Sequence, residues 1–140
     1  DPDNRRDFPG GFPFGPNPDS RSAFKLEGRK PGERQMFDWT RSWIRLRREH
    51  AAIRSGRLID LFYDDEGYVF ARQLGNETII IAINRQNQKK QVSIPATAIG
   101  LKDGTTLRTV IGTDAASSRV SNGEVTLNLP PQTAVAFKAL

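Results

Sequence analysis

The chain has 140 residues, of which 36% are hydrophobic, and its formal net charge is +5. This length suits one domain with at most a small appendage. No apolar run approaches the ~20 residues that a helix needs to cross a bilayer, so we expect no membrane partner. The absence of cysteine excludes disulfides, thiolate metal sites and a cysteine nucleophile.

Residues 1–30 are predicted to form one long loop. Five prolines and three glycines within the first 18 positions work against a long helix or strand. Acids, arginines and aromatic residues fill the remaining positions without a helical or strand period. Such a segment buries too little apolar surface to order itself, so we expect a functional loop that a larger scaffold supports.

The next segment predicts one amphipathic helix that runs from near Pro31 to Arg54. Proline suits the first helical turn, where its missing N–H has no partner to lose. Apolar positions then recur with the three-to-four spacing of a helix face, at Met36, Phe37, Thr40, Trp43, Ile44 and Ala51. The basic Arg54 and the pair Ser55-Gly56 are a typical end signal.

Positive charge is concentrated in this helix and its borders. Between Arg29 and Arg57 there are nine basic residues against three acids. A basic helix that also carries Trp39 and Trp43 is one pattern of a nucleic-acid surface, and a solvated helix face is the alternative. We do not expect nucleic acid as a partner, because no recognised nucleic-acid motif accompanies the charge.

Short strands separated by turn residues follow as far as the end of the chain. The predicted strands are 58–63, 68–74, 77–84, 90–94, 106–111, 118–121, 124–129 and 133–139. The apolar run from Ile79 to Ile83 indicates a strand buried on both faces. Residues 64–67 and the dipeptide Asn122-Gly123 predict hairpin turns, the second more strongly.

Eight short strands predict a mainly β fold with an antiparallel β-sandwich at its C-terminal end. The long loop and the single amphipathic helix precede this sandwich. We place the domain boundary at Gly56, so that residues 1–56 form one part and residues 57–140 the sandwich domain. Residues 1–56 cannot bury a core of their own, because one helix of this length is marginal in water.

His50 is the only histidine of the chain. It has no serine or cysteine partner at a suggestive spacing, so we expect a structural role at the end of the helix. No group of histidines or carboxylates has the spacing of metal ligands. We therefore expect neither a metal site nor a cofactor.

Three motifs together resemble the C-terminal third of the α-amylase superfamily, glycoside hydrolase family thirteen. They are the loop DPDNRRDFPGGF at residues 1–12, the helix end LRREHAAIRSG at residues 46–56, and the strand-rich segment that follows. The long form of the loop is similar to the cyclomaltodextrinase and neopullulanase branch. The helix resembles the last helix of that family's (β/α)₈ barrel, so we expect the chain to be a fragment that lacks the preceding barrel.

The resemblance implies a parent enzyme that hydrolyses α-1,4-glucosidic bonds in α-glucans or cyclodextrins with retention. The catalytic carboxylates of this family lie on earlier barrel strands, so we assign no catalytic residue here and expect the isolated chain to be inactive. The family's loop motif implies that Asp1 and Arg5 bind a glucose of the α-glucan oligosaccharide. Pairing of Asp1 and Arg5 within the loop is the alternative for both residues.

The sandwich has no catalytic role in the family's pattern, where it caps the barrel. A carbohydrate-binding surface of its own would need exposed aromatic residues on one face. The candidates are Phe62, Tyr63, Tyr68, Phe70 and Phe137, and we expect alternation to point most of them inward. A non-catalytic module that binds sugar or nucleic acid is the alternative function. Apolar helix residues without the barrel, among them Ile44, predict self-association.

Overall fold

The computed structural model describes residues 31–112 and 118–140, and strands dominate these ranges. Two helices come first, α1 (Pro31–Glu49) and α2 (Ala51–Ser55). The strands are β1 (Arg57–Tyr63), β2 (Gly67–Leu74), β3 (Glu77–Asn84), β4 (Lys90–Pro95), β5 (Thr106–Ile111), β6 (Ser118–Arg119), β7 (Glu124–Leu129) and β8 (Thr133–Ala139). A 3₁₀-helix (Ala96–Ile99) follows β4.

The strands form two sheets whose paired neighbours are all antiparallel. The larger sheet has the order β1-β2-β3-β8-β5-β6, and the smaller sheet pairs β4 with β7. The core lies between the two sheets, and it includes Val69, Ile80, Ile94, Leu127 and Phe137. The predicted fold class, a mainly β chain with a C-terminal antiparallel sandwich, is confirmed.

Strand β3 occupies the middle of the larger sheet and is buried on both faces, as predicted. Ile80 and Ala82 belong to the core between the sheets. Ile79 and Ile81 point to the opposite side and are also buried. We call that opposite side the outer face of the larger sheet. On the outer face, α2 contacts β2 and β3 and its Ala52 is fully buried.

Two predicted hairpin turns are confirmed. Asp64 closes the turn between β1 and β2, because its backbone N–H donates to the carbonyl of Gly67. Ser121 pairs with Glu124 across Asn122 and Gly123, which both have positive φ angles of 54° and 77°. Asparagine and glycine adopt that conformation at little cost, so the dipeptide fits a tight antiparallel hairpin.

The chain divides into two units, Asp1–Ser42 and Trp43–Leu140. The structure describes the first unit only from residue 31. The family-based domain boundary at Gly56 stays a prediction. The helix that we predicted as continuous to Arg54 is interrupted at His50, whose φ of −115° and ψ of 110° are extended rather than helical.

The interruption coincides with a contact between the helix end and β3, which we call the Glu77 clasp. One carboxylate oxygen of Glu77 lies 2.6 Å from Nδ1 of His50. The other accepts a hydrogen bond of 2.9 Å from the backbone N–H of Ala52. The Glu77 clasp therefore satisfies an N–H at the start of α2, and its His50 partner holds the pKa of Glu77 below its usual range.

Gly56 connects α2 to β1 and has no room for a side chain. A Cβ atom placed there would lie 2.4 Å from the carbonyl oxygen of Ala52 and 2.7 Å from that of Gln73. The φ angle of Gly56 is −71°, which any residue adopts. Glycine is therefore required by the close approach of two backbone carbonyls and not by a left-handed conformation.

We expect Gly56→Ala to lower the free energy of unfolding by about 1–3 kcal/mol, because the added methyl group forces the backbone apart. Urea unfolding followed by circular dichroism measures this change. Gly32→Ala is the matched control, because a Cβ at Gly32 meets no atom within 4 Å. Equal unfolding midpoints for the two variants would contradict the close-packing argument.

We expect Glu77→Gln to lower the free energy of unfolding by about 1–2 kcal/mol near neutral pH, because an amide has one acceptor oxygen for two donors. The folded-state pKa of Glu77 lies below its ordinary value of 4.5. The clasp therefore stabilises the fold above that ordinary value, and the stabilisation is lost as the pH falls through the folded-state pKa.

Urea titrations of both proteins between about pH 3 and pH 7 test this expectation, since the range brackets the carboxyl titration. The difference between wild type and Glu77→Gln should shrink toward the acid end. Asp38→Asn, at an exposed position of α1, serves as the control. A difference that stays constant over the whole range would show that the charge of Glu77 contributes nothing.

Candidate functional site

The two predicted substrate-binding residues, Asp1 and Arg5, lie outside the described residues. Their contact with glucose therefore stays a prediction. Within residues 31–112 and 118–140, the polar groups gather at the end of the larger sheet where β1 meets β2 and where β3 leaves for β4. Two loops meet there, residues 64–67 and residues 85–89.

Asn84 fixes the second of these loops from inside. Its side chain is 1% exposed and uses both of its polar atoms. The amide nitrogen donates to the carbonyls of Gln88 and Pro130 at 2.9 and 2.8 Å, and the amide oxygen accepts from the backbone N–H of Gln86 at 3.0 Å. A buried, fully bonded amide gives the loop one defined backbone path.

Asp64 fixes the first loop in a similar way. One carboxylate oxygen accepts from the backbone N–H groups of Glu66 and Gly67 at 2.9 and 2.7 Å. The other lies 2.5 Å from Nζ of Lys90, and this contact holds the pKa of Asp64 below its usual range. The same contact raises the pKa of Lys90, so both groups remain charged at neutral pH.

The two loops are also joined to each other. The backbone N–H of Arg85 donates to the carbonyl of Glu66 at 2.8 Å. The side chain of Gln86 donates to the carboxylate of Glu66. Nζ of Lys90 lies 3.7 Å from the same carboxylate. The loops therefore hold one another, and we expect the space between them to keep its shape without a ligand.

That space is an open-sided polar cleft of about 400 Å³. Its lining residues are Asp65, Glu66, Arg85, Gln86, Asn87 and Gln88. Within the described residues, the side chains of Asp65, Arg85, Asn87 and Gln88 form no hydrogen bond or ion pair with the protein. We refer to this space as the polar cleft, and it presents unused donors and acceptors on a fixed backbone.

Three aromatic side chains lie on the outer face of the larger sheet, on the strands β1 and β2 that the first loop joins. Tyr63 pairs with Tyr68 in the register of β1 and β2, and residues paired in this way share a face. Tyr68 stacks on Phe70, with ring centres 4.9 Å apart, and its hydroxyl donates to the carboxylate of Asp60, which raises the pKa of Tyr68. Tyr63 is 79% exposed.

The expectation that most sandwich aromatics point inward is wrong. Phe62 packs against the core and Phe137 belongs to it, but Tyr63, Tyr68 and Phe70 lie on the outer face. The inner positions of β2 hold the smaller Val69 and Ala71 instead. A register shift in β1 between Asp60 and Phe62 also changes which residues face the core, and simple alternation does not reveal it.

The described residues offer neither a membrane-crossing helix nor a metal cluster. None of the described helices has the length and apolar character that a membrane crossing requires. Within the same residues, no three histidine or carboxylate side chains come close enough together to hold a metal ion.

Comparison with protein families gives a match that covers more than half of the chain. The family of α-amylase C-terminal domains matches residues 56–137. A cyclomaltodextrinase of Geobacillus thermopakistaniensis is 32% identical over 92 residues, which are 64% of this chain and 16% of the relative. An amylopullulanase of Thermoanaerobacterium saccharolyticum is 26% identical over 96% of this chain and 10% of its own length.

Solved structures show the same architecture. An α-amylase of Geobacillus thermoleovorans, determined in complex with acarbose, superposes with a TM-score of 0.68 and 25% identity over 89% of this chain and 26% of its own. A debranching enzyme of Nostoc punctiforme gives a TM-score of 0.65 and 27% identity over 91% of this chain.

The chain spans only 16% and 10% of the two curated relatives described above. It covers about a quarter of each of the two solved enzymes, 26% in both cases. The matched residues include β1 to β7 and most of β8. The chain therefore belongs to the α-amylase C-terminal domain family.

Proposed function

We propose that this chain is the C-terminal part of a retaining hydrolase that acts on α-1,4-glucans or cyclodextrins. The observation that carries the proposal is the 32% identity to a cyclomaltodextrinase over 92 residues, together with the family match over residues 56–137. The relatives are several times longer than the chain, so the proposal places the catalytic centre in a part of the parent enzyme outside these 140 residues.

Hydrogen bonds hold three carboxyl groups of the described residues in their charged form. A retaining glycosidase needs one carboxyl that stays protonated near neutral pH and a second about 5 Å away as nucleophile. Every described carboxyl with a displaced pKa is displaced downward, namely those of Glu49, Asp64 and Glu77. None of these three groups therefore has the raised pKa that protonation of a leaving oxygen requires.

The glucan itself is proposed to meet the loop at residues 1–30 in the parent enzyme. Asp1 and Arg5 match the family motif for contact with a glucose beside the bond that is cut. A carboxylate accepts from two sugar hydroxyls, and a guanidinium donates in a planar fork, so the residue types suit this role.

The proposed partner of the helix is the preceding catalytic domain. The side chain of Ile44 is 56% exposed on a helix with basic residues in its last turn, so it leaves apolar surface in water. Burial of Ile44 against a neighbouring domain would remove this apolar surface from water. In the isolated chain no neighbouring domain buries Ile44, so self-association would bury the same apolar surface.

We expect the isolated 140-residue chain to release no reducing sugar from β-cyclodextrin, maltoheptaose or pullulan, because the catalytic pair lies elsewhere. A reducing-sugar assay over several hours at micromolar protein measures this. The control is the parent polypeptide with its upstream region, which should be active in the same assay. Turnover by the isolated chain that survives repurification would overturn the proposal.

We expect the isolated chain to self-associate reversibly, and Ile44→Lys to shift it toward monomer. Sedimentation equilibrium at several concentrations should show at least a severalfold weaker association constant for this variant. Leu140→Lys is the matched control, because Leu140 is also an exposed apolar residue but lies at the chain end. Equal effects of both substitutions would contradict a specific role for the helix.

A further inference from the structure

The polar cleft and the exposed ring of Tyr63 lie at the same end of the larger sheet. Tyr63 is the last residue of β1, next to the first loop, and it pairs with Tyr68. Tyr68 in turn pairs with Ile83, two positions before Arg85 at the cleft. An exposed aromatic ring therefore stands on the strand that leads into one wall of the cleft.

The polar cleft combines fixed walls with unused hydrogen-bonding groups. Its walls are held by the Asn84, Asp64 and Arg85 contacts described above. The side chains of Asp65 and Asn87 keep their donors and acceptors free of protein partners within the described residues. Binding a polar ligand there would need little ordering of the backbone, which lowers the entropic cost of association.

The charges of the polar cleft favour a neutral ligand. Asp65 and Arg85 contribute one charge of each sign, and Glu66 lies 3.7 Å from the ammonium of Lys90, which also faces Asp64. With Lys89 included, the described loops and Lys90 carry three acidic side chains against three basic ones, so these residues have no excess of positive charge to hold a phosphate or a nucleic acid. Carboxylate, guanidinium and amide groups together instead match the paired donors and acceptors of a polyhydroxylated molecule.

The size and the shape of the polar cleft further restrict the class of ligand that it can bind. A volume of about 400 Å³ falls within the range of roughly 300–1,000 Å³ that is usual for ligand sites. The cleft is open on one side, so it suits a segment of an extended chain better than an enclosed small molecule. The exposed ring of Tyr63 offers an apolar platform on which the C–H face of a sugar ring can stack.

We propose that the polar cleft and Tyr63 form a binding site for a neutral oligosaccharide on the sandwich itself. Tyr63 stacks on one sugar ring, while Asp65, Arg85 and Asn87 bind the hydroxyl groups of the next. That the oligosaccharide is an α-glucan rests on the proposed function, whereas the presence of a neutral sugar site rests on the geometry alone. The sandwich would thus hold substrate chains in addition to its structural role.

Titration of the ¹⁵N-labelled chain with maltoheptaose tests the site by NMR. We expect saturable shifts of the backbone amides of residues 64–67 and 85–89, with smaller changes elsewhere. Tyr63→Ala and Arg85→Ala should each weaken binding by about tenfold, because each removes a main contact. Leu58→Ala is the matched control, since Leu58 is an exposed apolar residue near the opposite end of the same strand.

The amide spectrum of each variant shows whether it is folded. If Tyr63→Ala does not fold, the binding affinity of Arg85→Ala alone tests the proposed site. Absence of saturable binding, or binding that both variants leave unchanged, would overturn the proposed site. Parallel titrations with cellohexaose and with a heparin oligosaccharide separate the sources. Tighter binding of maltoheptaose supports an α-glucan as the ligand. Tighter binding of cellohexaose supports the sugar site but contradicts its link to the proposed function. Binding of the heparin oligosaccharide alone overturns the neutral-sugar site.

Discussion

The architecture depends on one constraint, which is that β3 must be covered on both faces. Four consecutive apolar residues of this strand, Ile79 to Ala82, are almost fully buried. The smaller sheet and the core cover one side. On the other side the end of the helical segment covers part of the strand, because α2 contacts β2 and β3. The short helix is therefore part of the sandwich, although it belongs to the predicted barrel remnant by sequence resemblance.

The strands and turns were predictable because their signals are local. A glycine or asparagine that takes a positive φ, or an apolar run bounded by turn residues, needs no distant partner to be interpreted. The break at His50 was not predictable in this way. It coincides with a contact to the carboxylate of Glu77, which lies 27 positions away along the chain and becomes a neighbour only when β3 is in place.

The candidate site was likewise only partly predictable from the sequence. Asp1 and Arg5 come from a family motif, and they lie outside the described residues. The polar cleft was missed because its walls come from two loops about 20 residues apart in sequence, and because a bulge in β1 hides which aromatic residues face outward. The available signal was the run Arg85-Gln86-Asn87-Gln88, which places four long polar side chains between two strands.

The absence of space at Gly56 has a consequence for anyone who builds chimeric enzymes from this sandwich. The carbonyl oxygens of Ala52 and Gln73 approach this residue from two sides, so the crossing of α2 into β1 behaves as a fixed elbow. A transplanted module that starts at residue 57 would leave behind both the elbow and the histidine partner of Glu77. A splice upstream of His50 keeps the elbow intact and lets the incoming enzyme supply only a plain helix.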